Sequence, residues 1–211
     1  MAKRLVIGLG TGRCGTVSLK ALLALQQDTH ATHETMLLPH KMNERKLEQY
    51  MQKLHKRFNK ANIVVDVALW NLPYVTSILA RDDKTKFICL KRDKDLVIKS
   101  YIKKTPKRNH WTRRDSEYWS DKKWPRERRC PYGPCYPKFD ADKEDAIGFY
   151  WDYYQVISEM YEQAFPDNFR IFPVEYLNTR DGCEKILTFA GYDEMVIRVG
   201  IHKNAILNRK R

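Results

Sequence analysis

The chain has 211 residues, 43% of them hydrophobic and 31% charged, so it can build one domain with a sizeable core and is not a wholly disordered protein. It carries 39 lysines and arginines against 26 acidic residues, a net charge of +13 that favours a polyanionic ligand or partner. No segment reaches the ~18 apolar residues of a membrane span, and we expect a cytoplasmic protein.

The first predicted element is a buried strand over residues 5–9, which form a short apolar run. Gly10, Gly12 and Gly15 follow it, and a helical pattern of apolar residues begins at Val17. A glycine loop between a strand and a helix lets backbone N–H groups surround a phosphate at the positive end of the helix dipole. The sequence therefore predicts a phosphate-binding loop here.

Further strands and helices alternate along the chain. The patterns predict helices over 44–60, from 71 to about 80, and from Asp93 or Asp95 through Tyr101, with strands over 63–66 and 86–90. After an irregular segment at about 105–140 come a helix over 141–164, a strand over 169–172 and a helix over 181–190. This alternation predicts a single α/β domain over 1–211, a P-loop-like three-layer fold with a central, mainly parallel sheet flanked by helices.

The glycine loop fits more than one kind of nucleotide site. Gly10-x-Gly12-x-x-Gly15 matches the dinucleotide fingerprint, with Glu34 near the expected acidic position. The same loop begins like that of a P-loop kinase, and Ile63–Asp66 is similar to a Walker B strand. Thr16, however, stands where the kinase lysine should be, and without that ammonium the phosphate charge loses its main protein partner.

A third interpretation explains more of the chain. The segment Gly12-Arg-Cys-Gly-Thr-Val-Ser18 resembles the 5′-phosphosulfate loop of sulfotransferases that use 3′-phosphoadenosine 5′-phosphosulfate (PAPS). Downstream, Phe87–Asp93 followed by Ser100 resembles that family's 3′-phosphate motif, in which an arginine ends a strand and a serine lies eight residues later. Phe172–Leu177 and Ile186–Tyr192 are similar to two later family segments, in the same order.

Within that family, residues 13–39 are most similar to the tyrosylprotein sulfotransferases. His33-Glu-Thr-Met-Leu-Leu-Pro39 occupies the place of their catalytic glutamate segment, and Glu34 lies 21 residues after Arg13 as in that group. Residues 105–140 have no counterpart there. The resemblance therefore supports the catalytic apparatus and leaves the acceptor open.

The resemblance implies transfer of a sulfuryl group from PAPS to a hydroxyl or amine of an unidentified acceptor, leaving the bisphosphate nucleotide PAP. It implies Glu34 as general base, with His33 and Asp66 as rivals, and Arg13 at the bridging oxygen. The implied nucleotide-binding residues are Gly12, Arg13, Cys14, Gly15, Thr16, Val17 and Ser18 for the 5′-phosphate, and Arg92 and Ser100 for the 3′-phosphate.

We expect no metal to be required, because arginines supply the positive charge that a kinase takes from Mg²⁺. The five cysteines are scattered and odd in number, which does not indicate a disulfide framework. Cys130 and Cys135 form the only close pair, and they lack histidines or a second pair at zinc spacing. We therefore expect no metal site.

The strongest local charge lies in the irregular segment. Residues 103–138 hold 12 basic and 4 acidic groups, together with Trp111, Trp119 and Trp124. Such a segment suits either a lid over an anionic, aromatic or sugar acceptor, or a nucleic-acid surface. The alternative functions are accordingly a nucleic-acid-binding module and a P-loop nucleotide kinase relative. The basic tail, 198–211, either approaches the nucleotide or frays.

Overall fold

The computed structural model describes residues 3–200, which form five strands and six α-helices. In chain order these are β1 (Arg4–Gly10), α1 (Thr16–Leu23), β2 (Thr29–His33), α2 (Glu44–His55), β3 (Ile63–Val67), α3 (Val75–Leu79), β4 (Lys86–Lys91), α4 (Lys94–Lys104), α5 (Lys143–Ala164), β5 (Phe169–Pro173) and α6 (Arg180–Ala190). Short 3-10 helices lie at Lys56–Asn59, Leu69–Tyr74, Glu127–Arg129, Gly133–Cys135 and Val174–Asn178.

The strands form one sheet in the order β2-β3-β1-β4-β5, and all four pairings are parallel. This confirms the predicted α/β fold and makes the sheet wholly rather than mainly parallel. β1 lies in the centre, so the loop after it opens at the carboxyl edge of the sheet between β3 and β4. That edge is where α/β proteins of this kind bind their ligands.

Helices cover both faces of the sheet, as the three-layer prediction required. Along β1, Leu5, Ile7 and Leu9 join one buried apolar cluster, while Val6 joins the other. The first cluster includes residues of α2, α3, α4 and α5, and the second includes residues of α1 and α6. This alternation follows from the two-residue period of a strand whose two faces are both buried.

Two elements differ from the sequence-based predictions. β2 was not predicted, because Thr29-His-Ala-Thr-His33 has no apolar run. It is an edge strand that pairs with β3 alone, and its five residues are only half-buried. The helix expected from residue 71 begins as the 3-10 helix Leu69–Tyr74, which contains Pro73, and becomes α-helical over Val75–Leu79.

The segment 105–140 is irregular, as predicted, but it is packed. Its regular structure consists of two three-residue 3-10 helices and an isolated bridge between Thr112 and Phe139. Trp111 and Trp124 are 0% and 2% exposed, and Trp111 belongs to the same apolar cluster as α5. These tryptophans therefore stabilise the core instead of offering indole faces to a ligand.

Within residues 3–200, no helix combines the length and the apolar character needed to cross a bilayer. The predicted contact between the basic tail and the nucleotide concerns mainly residues 201–211, which lie outside the described part of the chain.

Candidate active site

A cavity of about 670 Å³ lies at the carboxyl edge of the sheet, bounded by the segments that follow all five strands. Nine of the ten predicted site residues line it. They are Gly12, Arg13, Gly15, Thr16, Val17, Ser18, Glu34, Arg92 and Ser100. Residues separated by 88 positions in the sequence therefore meet in one cavity, which is what a shared ligand requires.

The loop after β1 has the backbone geometry of a tight phosphate-binding turn. Gly12, Arg13 and Gly15 all have positive φ angles, 79°, 57° and 88°. Gly15 is the N-cap of α1, so the loop delivers the chain directly to the positive end of that helix. A Cβ atom at Gly12 would collide with the Tyr101 hydroxyl oxygen, which explains why glycine is needed there.

Two buried tyrosines hold this loop in place. Tyr154, on α5, accepts a hydrogen bond from the Gly10 N–H at 2.9 Å and donates one to the Leu69 carbonyl at 3.0 Å. Tyr101, on α4, donates to the Thr11 carbonyl at 2.6 Å. Neither tyrosine was predicted as part of the site, because an aromatic residue in an amphipathic helix is normally a core residue.

The residues assigned to the two phosphates of the nucleotide are in direct contact with one another. The Arg13 side chain donates from Nε to the Ser100 hydroxyl at 3.0 Å. Arg92 donates from Nη1 to the Arg13 carbonyl at 2.7 Å. The end of β4 and the middle of α4 are thus joined to the glycine loop, and their polar groups converge on the same side of the cavity.

The cavity contains four cations that form no ion pair with a carboxylate of the described residues, 3–200. They are Arg13, Arg92, Lys103 and Lys104, which all line it. Eight ion pairs between lysine or arginine and a carboxylate occur elsewhere in the same part of the molecule. Cations gathered in a concave site focus a positive potential that attracts an anionic ligand.

Glu34 faces the cavity directly after β2. Its N–H donates to the Val67 carbonyl at 3.1 Å, which extends the β2–β3 pairing by one residue. Its φ angle is 57°, a left-handed conformation that costs a non-glycine residue about 1–3 kcal/mol and that clusters at functional sites. Burial, and then the nearby Asp66 carboxylate, raise the pKa of Glu34 above its usual 4.5, which makes it a stronger proton acceptor.

The two rival bases differ in position. His33 lines the cavity, with Nε2 3.4 Å from the Thr16 hydroxyl and Nδ1 3.8 Å from a Glu34 oxygen. Burial lowers its pKa below 6.5, so the ring is neutral at neutral pH. Asp66 is fully buried and does not line the cavity.

Asp66 has a different role, which its hydrogen bonds define. It accepts hydrogen bonds from Thr32, from the Thr35 N–H and hydroxyl, and from the Tyr50 hydroxyl, at distances between 2.7 and 3.2 Å. Both of its oxygens are therefore engaged. Asp66 fixes the turn that carries Glu34, because Thr32 and Thr35 lie on either side of that residue.

Cys14 is the one predicted site residue whose side chain does not reach the cavity. It is 0% exposed and belongs to the apolar cluster beneath α1. Burial raises the pKa of its thiol to about 11, so the sulfur remains protonated. The small side chain at this position fills the space under the loop.

Several lining residues were not predicted as site residues. Tyr136 is one of them, and it is the only residue of the segment 105–140 to line the cavity. Burial is the main cause of its raised pKa, and the Glu34 carboxylate, which lines the same cavity, adds to it. The others are Leu69, Leu96, Tyr101, Lys103, Lys104, Val174, Glu175, Leu177 and Asn178. Val174, Glu175 and Leu177 lie in the family-like segment Phe172–Leu177, although no site role was predicted for them. No periodicity or motif sets Tyr136 apart from a core position.

Comparison with known proteins gives a family match and a structural match that each cover most of the chain. A family model described as "Sulfotransferase domain" matches residues 5–193. No curated protein shows a significant sequence match. Among solved structures, shikimate kinase from Bacteroides thetaiotaomicron is similar over 88% of this chain and 94% of its own, with 13% sequence identity and a TM-score of 0.41.

Proposed function

This chain belongs to the sulfotransferase domain family, and from that premise we propose how its cavity carries out the reaction. The family reaction moves a sulfuryl group from PAPS to an acceptor and leaves PAP. One observation carries the proposal: four cations that have no carboxylate partner within residues 3–200 share a cavity with Glu34, whose pKa is raised. The cations suit a nucleotide with phosphates at both ends, and the Glu34 carboxylate suits proton removal.

The glycine loop and α1 hold the 5′-phosphosulfate in this proposal. The backbone N–H groups of Gly15, Thr16 and Val17 lie at the start of α1, where an anion gains from the helix dipole. The hydroxyls of Thr16 and Ser18 add donors from the same turn, and both residues line the cavity. Arg92 and Ser100 bind the 3′-phosphate, and the guanidinium of Arg92 donates a charge-assisted hydrogen bond to it.

The chemical step is an in-line transfer. The acceptor oxygen or nitrogen forms a bond to the sulfur, and the bond between sulfur and the bridging oxygen of the 5′-phosphate breaks. The electron pair of that bond stays on the bridging oxygen, where the Arg13 guanidinium stabilises the growing negative charge. Glu34 takes the proton that the acceptor loses, and its raised pKa improves the match to that task.

The acceptor shares the cavity with Glu34 in this proposal. Leu69 and Tyr136 line this cavity, so the group that carries the hydroxyl or amine meets an aliphatic side chain and a phenol ring. The spacing of Arg13 and Glu34 is similar to that of the tyrosylprotein sulfotransferases, which supports the role of Glu34. The chemical class of the acceptor stays open.

Two conservative variants test the assignment of the base. Glu34→Gln keeps the size of the side chain but removes its ability to take a proton, so we expect sulfuryl transfer to fall by about 10²–10⁴-fold while PAP still binds. Glu175→Gln is the matched control, because Glu175 lines the same cavity. We expect its turnover to stay near that of the unmodified protein.

The measurements are transfer from labelled PAPS over a panel of peptide, glycan, phenol and lipid acceptors, and PAP binding by calorimetry. Near-normal turnover in Glu34→Gln, together with loss of turnover in His33→Asn, would transfer the role of base to His33. Thermal stabilisation by a short oligonucleotide or ATP, without stabilisation by PAP, would contradict the proposed ligand.

A further inference from the structure

Three metal-ligating side chains meet in the segment 105–140, away from the cavity. The ligand atoms of His110, Glu127 and Cys130 all lie within 4.8 Å of one another. His110 Nδ1 is 3.0 Å from both carboxylate oxygens of Glu127. Within residues 3–200, this is the only group of three or more His, Cys, Asp and Glu side chains gathered closely enough to share one ion.

We propose that His110, Glu127 and Cys130 form a zinc-binding site that stabilises this segment. An imidazole nitrogen, a carboxylate oxygen and a thiolate sulfur are the three donor types that Zn²⁺ prefers. Bonds of about 2.0–2.3 Å around a tetrahedral ion separate the ligand atoms by roughly 3.3–3.8 Å. The observed cluster is close to that size, so small side-chain movements bring all three atoms to one ion.

The two cations beside the cluster bind its backbone and not its side chains. Lys138 donates to the His110 carbonyl, and Arg114 donates to the Glu127 carbonyl at 3.4 Å, so both cations bind backbone oxygens instead of the ligand side chains. The Asn109 N–H donates to Glu127 Oε2 at 3.1 Å. That contact orients the carboxylate, as outer contacts do for the ligands of metal sites.

Burial gives a reason for an ion at this place. Glu127 is 2% exposed and His110 is 5% exposed, and a buried carboxylate is normally paired with a charge or bound to a metal. The ring of His110 stacks on Tyr136 with a centroid separation of 5.2 Å and an interplanar angle of 9°. A metal at His110 would therefore also fix Tyr136, which lines the cavity.

The sparse secondary structure of the segment 105–140 also favours a stabilising ion. The segment has two short 3-10 helices and one isolated bridge, and most of its backbone hydrogen bonds close local turns; within the segment, only those that join Trp111 and Arg113 to Phe139 link residues far apart in sequence. An ion bound to residues 110 and 130 closes a loop of 20 residues, and closing such a loop removes conformational entropy from the unfolded chain. In small irregular segments, the free energy of metal binding adds directly to folding.

The test uses the full chain, with zinc and cadmium as probes. We expect the purified protein to bind one equivalent of Zn²⁺, to melt at a higher temperature with zinc than after chelation, and to show a thiolate-to-metal absorption band with one equivalent of Cd²⁺. Because zinc ligands must be deprotonated, binding should release protons and strengthen as the pH rises.

Cys130→Ser is the decisive variant, because Cys130 is only partly buried and its replacement should leave the fold intact. We expect its zinc affinity to fall at least 10-fold and its cadmium band to disappear. Cys183→Ser is the control for the number of thiols, since that buried thiol lies in α6, outside the cluster, and its zinc affinity and cadmium band should match those of the unmodified protein. Absence of stoichiometric zinc binding in the unmodified chain, or equal affinity in Cys130→Ser, overturns the proposal.

Discussion

Replacing Tyr154 by phenylalanine should destabilise the protein because one buried hydroxyl satisfies two backbone groups. The hydroxyl accepts from the Gly10 N–H and donates to the Leu69 carbonyl. Each buried polar group left without a partner costs about 1–3 kcal/mol, so we expect Tyr154→Phe to lose about 2–6 kcal/mol of unfolding free energy. For a protein of this size, that loss lowers the Tm by roughly 4–24 °C.

Tyr150→Phe is the matched control for this prediction. Tyr150 lies one helical turn earlier on α5 and is equally buried, at 2% exposure. Its hydroxyl has no hydrogen-bond partner within residues 3–200, so its removal should leave the Tm unchanged or raise it. Both variants are compared by thermal unfolding and by calorimetric titration with PAP. If they unfold at the same temperature and bind PAP equally well, Tyr154 does not hold the loop and our reasoning is wrong.

Three further predictions concern the cavity itself. Arg92→Ala should weaken PAP by about 10- to 100-fold, the value of a lost charge-assisted contact, and should weaken adenosine 5′-phosphosulfate much less; equal losses in calorimetry would contradict a 3′-phosphate role. The pKa of Glu34 is raised in the folded state, so its protonation stabilises the fold at low pH and that stabilisation is lost as the pH rises through the raised pKa. Glu34→Gln should therefore melt at a higher temperature than the unmodified protein at neutral pH; a lower Tm for the variant would contradict a raised pKa. The acidic limb of the pH–rate profile of the unmodified protein should lie above pH 4.5. Gly12→Ala should abolish PAP binding, because the added Cβ meets the Tyr101 hydroxyl at a positive φ; PAP affinity within twofold of the unmodified protein would contradict a tight loop.

The sequence predicted most of the sheet because four of its strands are apolar runs. β1, β3 and β4 are almost wholly buried, and their composition reflects that burial on both faces. β2 could not be found in this way, since an edge strand of threonines and histidines has no such pattern. Its position matters nevertheless, because Glu34 follows its last residue.

Site residues that belong to a sequence motif could be predicted. Site residues that reach the cavity only through tertiary packing could not. The loop, Arg92 and Ser100 follow a spacing along the chain. Tyr101 and Tyr154 contact the loop from helices that begin more than 80 residues later, and no local pattern relates them to it. The cluster of His110, Glu127 and Cys130 is similar in this respect, because an irregular segment brings together side chains without a characteristic spacing.

The hydrogen bond between the Gly10 N–H and the Tyr154 hydroxyl has a consequence for how the protein folds during synthesis. The two residues are 144 positions apart, so a growing chain contains the whole glycine loop long before it contains the helix that supports it. Contacts this distant in sequence form slowly and late. The glycine loop is therefore synthesised before the rest of the site but reaches its final, supported structure last. A nascent chain should acquire affinity for PAP only after α5 has emerged and packed against the sheet.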